Sequence, residues 1–253
     1  MSIDACAVLV ERGDPDRFRA VMAAPLALRG RLFVLYAYNL ELARAPWVTK
    51  EAMIAEMRLQ WWRDVVGEPA PRAHEVAGPL YDLIHEAGLP VPVLEAMGAA
   101  RVWDIYAEPF QDQAAMDSYL EDTSGGLMWL AARACGAPGD AEPVARGMGF
   151  AAGLANYLRA VAELEARGKR PLVDGRREGV RKLAARGLER LAQARAGRRK
   201  MGQAGPALLA GWQAEGLLRQ VLAEPDRVAD GTMGLSHFAQ RGRLLWQASL
   251  GRW

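Results

Sequence analysis

Cysteine and histidine are scarce in this chain of 253 residues, which holds two Cys and three His. Cys6 and Cys135 lie far apart with no metal-like spacing, so neither a disulfide framework nor a thiolate zinc site is expected; both should be buried thiols. His74, His85 and His237 form no i, i+4 pair or common cluster and are expected at the surface or as caps. No stretch reaches the roughly 18 to 20 apolar residues of a membrane span. The opening Met1-Ser2-Ile3-Asp4-Ala5-Cys6 lacks the basic start and apolar run of a signal peptide. The expected location is the cytoplasm, with attachment to the inner face of the membrane as a peripheral protein left open. Paired hairpin turn signals are missing as well, which argues against a β fold.

What is present is helical periodicity broken at Gly and Pro, in a chain whose hydrophobic content of 51% is enough for a sizeable core. Asp14-Pro15 reads as an N-cap and a proline at the first helical position, opening a helix that stops before Pro25. An apolar helix spans Leu26 to Ala45. Thr49 is expected to cap Lys50 to Val66, ended by Gly67 and the Pro69-Ala70-Pro71 linker. Further helices are expected over 72–87, 91–107, 114–121, 126–135, 143–167, 176–195, 206–223 and 236–250. No composition shift, linker or repeat divides the chain, so residues 1–253 read as one all-α domain of about ten helices.

Charge of one sign is concentrated. Residues 167–200 hold thirteen Lys or Arg against three Asp or Glu, while residues 1–166 hold fourteen against 23. Such a run is read first as a solvated helix face. The functional readings are an anionic membrane surface, an acidic partner or a phosphate-bearing ligand. Nucleic acid is not expected, because no aromatics interleave with these arginines as a stacking platform requires.

The stretch Gly153 to Leu172 carries Asn156, Arg159 and the Gly168-Lys169 turn. It resembles the second aspartate-rich segment of the squalene and phytoene synthases, whose pattern runs Gln-Leu-x-Asn-x-x-Arg-Asp-x-x-x-Asp. Ala160 and Leu164 stand where the two aspartates would be. Arg31-Leu-Phe-Val-Leu-Tyr-Ala-Tyr38 resembles the segment before the family's first aspartate-rich motif, and counting from Tyr36 its aspartates fall at Ala43 and Trp47. Tyr119 to Gly136, with Thr123-Ser-Gly-Gly, is similar to the family's glycine-containing helix break, and Leu244 to Gly251 to its last helix. The resemblance implies an isoprenoid-synthase-type helical bundle around a central cavity.

In those synthases, the resemblance implies, the two motifs hold Mg²⁺ ions that grip an allylic diphosphate. Magnesium needs oxygen ligands, and Ala, Trp and Leu offer none, so ionisation by metal is not expected and no cofactor is implied. Asn156, Arg159 and Glu163 share one face at i, i+3 and i+7. They are expected to face the cavity, as a hydrogen-bonded network pairing Arg159 with Glu163 or as a remnant polar ligand site. Tyr36, Asn39 and Glu41 join them on the earlier helix. A divergent prenyltransferase would use a repositioned acidic pair such as Glu41 and Glu163, with Mg²⁺. A non-catalytic isoprenoid- or lipid-binding protein would use the cavity without chemistry.

Asn39-Leu-Glu-Leu-Ala43 followed by Arg58-Leu-Gln-Trp-Trp-Arg63 is similar to the non-catalytic branch of the same family, which includes a mitochondrial assembly factor for respiratory complex I. That resemblance implies a pseudoenzyme that binds a complex I subunit or assembly intermediate. Arg58, Trp61, Trp62 and Arg63 are the candidate partner contact, since Trp and Arg dominate binding hot spots. Trp61 and Trp62 differ by about 100° around a helix, so one can face the core while the other lies at its margin. A tryptophan at Trp253 could dock against the fold or touch a membrane interface.

Overall fold

Asp14 starts its helix as the sequence indicates: Oδ1 accepts the Arg17 N–H at 3.0 Å, and Pro15 fills the first helical position. The structure, a computed structural model, describes residues 3–253, apart from the side chains at 237, 238, 240 and 241. Among the described residues there is no strand. The helices are α1 Ile3–Gly13, α2 Pro15–Ala23, α3 Leu26–Arg44, α4 Ala52–Gly67, α5 Ala77–Ala87, α6 Val91–Ala100, α7 Gln113–Leu120, α8 Gly126–Ala134, α9 Glu142–Ala166, α10 Arg177–Ala196, α11 Ala214–Ala223, α12 Asp226–Ala229 and α13 His237–Ser249.

Several expected boundaries move for local reasons. α1 was not expected, because no cap or proline marks its start; it holds by burying Cys6 and Val10 against α3. Thr49 does not cap α4. Its Oγ1 accepts the Glu51 N–H at 3.1 Å, and the helix begins at Ala52. α5 begins five residues later than expected, behind a turn in which His74 Nδ1 accepts the Val76 N–H at 3.1 Å, so His74 is a capping group. The expected helix over 91–107 tightens into a 3₁₀ turn at Arg101–Asp104. The one over 206–223 is broken: Arg198–Gly211 is 3₁₀-like with a kink at Gly202 (φ +50°), and α11 follows.

The expected glycine break is a π turn, Glu121–Gly125, running straight into α8. Its cause lies in α9, about 37 Å long at 1.5 Å per residue. A Cβ on Gly149 would stand 2.4 Å from the Ser124 carbonyl oxygen, and one on Gly153 2.4 Å from Ser124 Cβ. Two glycines on α9 therefore let the π turn press against its backbone. α9 also packs on α8, α10 and the 198–211 segment, and one contiguous apolar cluster runs from Cys6 to Trp253. Gly168, at φ +83°, ends α9: its N–H donates to the Glu165 carbonyl at 2.9 Å, and the Lys169 N–H to that of Leu164 at 3.0 Å.

Both cysteines are free and buried, as expected. No helix of the described residues is long and apolar enough to cross a membrane.

Candidate functional site

The N-terminus of α2, the C-terminal half of α3, the 3₁₀ turn 101–104, the π turn and the C-terminal half of α9 enclose a cleft of about 430 Å³. Ala43, Trp47, Ala160 and Leu164 all line it. The four positions counted from two separate motifs thus converge on one space, and none carries an oxygen there. Trp47 is 39% exposed at the rim, with the Arg167 guanidinium stacked 4.5 Å from its ring centre. A bulky apolar ring and a cation occupy this edge of the cleft.

The polar residues expected here divide. Asn39, Asn156 and Arg159 line the cleft. Tyr36 lies behind it, beside a small adjoining hollow, and its buried hydroxyl has no hydrogen-bond partner; burial pushes that phenol above its ordinary range. Glu41 lies outside the cleft lining and faces Arg44 at 4.0 Å. Glu163 is exposed and pairs with Arg167, so the expected Arg159–Glu163 pair is not formed. Arg159 instead reaches Asp16 at 3.3 Å, since the start of α2 and the C-terminal half of α9 line the same cleft. That partner is 143 residues away in sequence.

Other polar groups of the cleft were not anticipated. On its floor, Arg101 Nη1 donates to Asp104 Oδ2 at 3.0 Å and to the Tyr119 hydroxyl at 2.8 Å, while the Tyr119 hydroxyl donates to Asp104 Oδ1 at 2.9 Å. Asp104 is 6% exposed, and burial raises the Tyr119 phenol. The only sequence signal was an Arg and an Asp three residues apart, an ordinary surface pattern. Gln213 also lines the cleft, 6% exposed, with Oε1 unpartnered. At the mouth Asp14 binds Arg17 at 2.6 Å.

Magnesium does not fit these residues. The cleft's carboxylates, Asp14, Asp16 and Asp104, each face an arginine at hydrogen-bonding or ion-pair distance. Among the described residues no group of three or more His, Cys, Asp or Glu is placed to hold a metal ion. The three arginines of the lining, Arg17, Arg101 and Arg159, are likewise each matched by an aspartate, so the cleft has no surplus cation for a diphosphate.

The partner-contact residues separate as helix geometry requires. Trp62 is 3% exposed and belongs to the core, so it cannot touch a partner. Trp61 is half-buried edge-on against it at 4.8 Å, with Arg72 over its ring. Arg63 is half-buried and donates to Gln60. Arg58 is exposed, next to exposed Met53 and Met57. Part of the basic run is paired with acids elsewhere in the fold: Arg177, Arg186, Arg190 and Arg195 of α10 meet Asp226, Asp117, Glu121 and Glu215. Lys169 is buried and donates to the Trp103 and Tyr106 carbonyls. Trp253 docks rather than dangles, at 7% exposure, with its carbonyl accepting from Arg195 at 2.8 Å.

A helical bundle with a cleft at the meeting of two motif-bearing helices is the isoprenoid-synthase type of fold. A ligand-bound dehydrosqualene synthase superposes with a TM-score of 0.72 at 15% identity, covering 98% of this chain and 95% of that one. A squalene synthase, HpnC from Alicyclobacillus acidocaldarius, gives 0.70 at 16% identity over 92% and 95%. The chain belongs to the squalene/phytoene synthase family, whose profile matches residues 10–173. Curated relatives include NADH dehydrogenase (ubiquinone) complex I, assembly factor 6 from Homo sapiens, 25% identical over 61% of this chain. The Drosophila melanogaster homolog is 30% identical over 62%. The matches span about half of those proteins, 48% and 49%.

Proposed function

We propose that the chain is a non-catalytic member of its family that acts by binding, as a factor in the assembly of respiratory complex I. The carrying observation is the cleft, whose fold is kept while Ala43, Trp47, Ala160 and Leu164 place no oxygen in it. Two side chains would need replacing on each side before a metal could be held, which favours a settled loss over a shifted motif. The similarity to complex I assembly factor 6 supports the assembly role. The partner is then a complex I subunit or intermediate, met at the inner face of the membrane by a peripheral protein. Arg58 is the exposed residue of the candidate contact.

A divergent transferase would need unpaired acids in the cleft; Glu41 and Glu163 lie outside its lining, and Asp14, Asp16 and Asp104 within it each face an arginine. Binding of an isoprenoid or other lipid without chemistry is the second reading, favoured by Leu40, Leu120 and Leu164, which line the cleft from three helices. The assembly role is tested by deleting the gene. Assembled complex I and NADH oxidation in membranes are expected to fall and to return with the wild-type gene; unchanged levels of both would sink the role.

A further inference from the structure

A second pocket of about 630 Å³ lies away from the cleft, where the end of α10 meets α11 and α13. Its wall carries Arg195, Arg198, Arg243 and Arg252 against one acidic side chain, Glu215. Glu215 is already engaged, by Arg195 at 2.8 Å and Arg219 at 2.9 Å. Arg198, Arg243 and Arg252 form no ion pair among the described residues. Even with a carboxylate at Trp253 set against them, the arginines exceed the acids by two.

Two features distinguish this wall from a solvated charge run. Gln247 lines it at 7% exposure with Oε1 unpartnered, a buried polar atom whose desolvation nothing in the chain offsets. Gly216 makes room for a guanidinium: a Cβ there would stand 3.2 Å from Cζ of Arg243. The lip of the pocket is apolar. Trp246 is 63% exposed there, and Leu250, just past the end of α13, is 48% exposed nearby in the chain. Arginines give planar, multidentate recognition of phosphate oxygens, and an adjacent Trp with aliphatic neighbours suits the non-polar part of an amphiphile.

We propose that this pocket binds a phosphate monoester, with Arg198, Arg243 and Arg252 pairing its oxygens and Gln247 Oε1 accepting from its P–OH. A phospholipid headgroup and a soluble phosphate monoester share that chemistry, and two arms separate them. In the first, the full chain is co-sedimented with phosphatidylcholine vesicles with and without phosphatidic acid. In the second, glycerol 3-phosphate is titrated and the melting temperature followed.

For a lipid source, binding requires phosphatidic acid, falls with salt, weakens about tenfold or more in Arg243→Gln/Arg252→Gln, and drops in Trp246→Ala. For a soluble source, saturable stabilisation by glycerol 3-phosphate is lost in the double variant but kept in Trp246→Ala. Arg170→Gln/Lys182→Gln, which removes two other cations of the basic run, is expected to leave both arms unchanged. The inference is overturned if neither arm shows saturable binding, if plain phosphatidylcholine binds equally, or if the Arg243/Arg252 variant, folded by circular dichroism, binds as well as the wild type. It stands apart from the assembly role, since neither arm measures complex I.

Discussion

Removing Arg101 should destabilise the fold through the carboxylate it leaves behind. Asp104 is 6% exposed and has two partners, Arg101 at 3.0 Å and the Tyr119 hydroxyl at 2.9 Å. Taking one partner from a buried ion pair typically costs about 3–5 kcal/mol. The Arg101 side chain is itself 18% exposed, on the edge of the cleft, so water can enter its place and the lower end, about 3 kcal/mol, applies to Arg101→Ala. Tyr119→Phe keeps the ring in its aromatic cluster with Trp103 and Phe110. It removes the hydroxyl that donates to Asp104 and accepts from Arg101, two hydrogen bonds to charged groups, of which the one stabilising the buried carboxylate is worth about 1.5–3 kcal/mol.

The decisive variant is the double one. If the loss in Arg101→Ala is a stranded charge, then adding Asp104→Ala removes the stranded group, and the pair should cost less than the sum of its single changes by about 1.5–3 kcal/mol. Urea unfolding at neutral pH measures this, provided m stays constant across the set. Additivity of the two single changes within about 0.5 kcal/mol would refute the reasoning, because it would mean that Asp104 loses nothing when its guanidinium goes.

Other expectations follow from packing and burial. Gly149→Ala should destabilise more than Gly153→Ala, because its Cβ would meet the Ser124 carbonyl oxygen, whereas that of Gly153 would meet the Ser124 side chain; with overpacking at about 1–3 kcal/mol and a helix gain of about 1, Gly153→Ala should cost no more than roughly 2 kcal/mol. Adding Ser124→Gly should recover most of the Gly153→Ala loss and little of the Gly149→Ala loss, and equal recovery would contradict this packing. Burial pushes the Cys6 thiol up to about 11 and the Cys135 thiol up to about 12, from 9.0. The folded state therefore holds these protons more tightly, so their contribution is complete below pH 9 and is lost as the pH rises towards 11 and 12. The decline of unfolding free energy above pH 9 should be shallower in Cys6→Ala/Cys135→Ala, and an unchanged slope would oppose the assignment. His74→Ala removes the acceptor for the Val76 N–H and should cost about 1 kcal/mol, as a lost cap does; no change in thermal midpoint would show the cap to be idle.

The sequence revealed most where a signal is local. Asp14-Pro15 and Gly168 mark helix ends because capping and left-handed backbone are properties of a few adjacent residues. The convergence of Ala43, Trp47, Ala160 and Leu164 followed from counting along two recognisable motifs. Partnerships across the fold were not legible. Arg159 and Glu163, four residues apart on a helix, are a readable pair, yet Arg159 meets Asp16 across the cleft, a partnership that no spacing encodes. The Arg101–Asp104–Tyr119 floor was missed for the same reason. The Thr123-Ser-Gly-Gly segment reads as a break through its resemblance to the family's glycine-containing one; in the fold it is a π turn whose Gly125 lies against Gly149, so that two helical backbones approach.

The most direct test of the proposed non-catalytic role is diphosphate release from farnesyl diphosphate by the purified chain in Mg²⁺. The cleft offers no oxygen at the four motif positions, so release should not exceed the protein-free rate at any Mg²⁺ concentration. Mg²⁺-dependent turnover that disappears in Asp104→Asn or Arg159→Ala, with the variant still folded, would contradict the account.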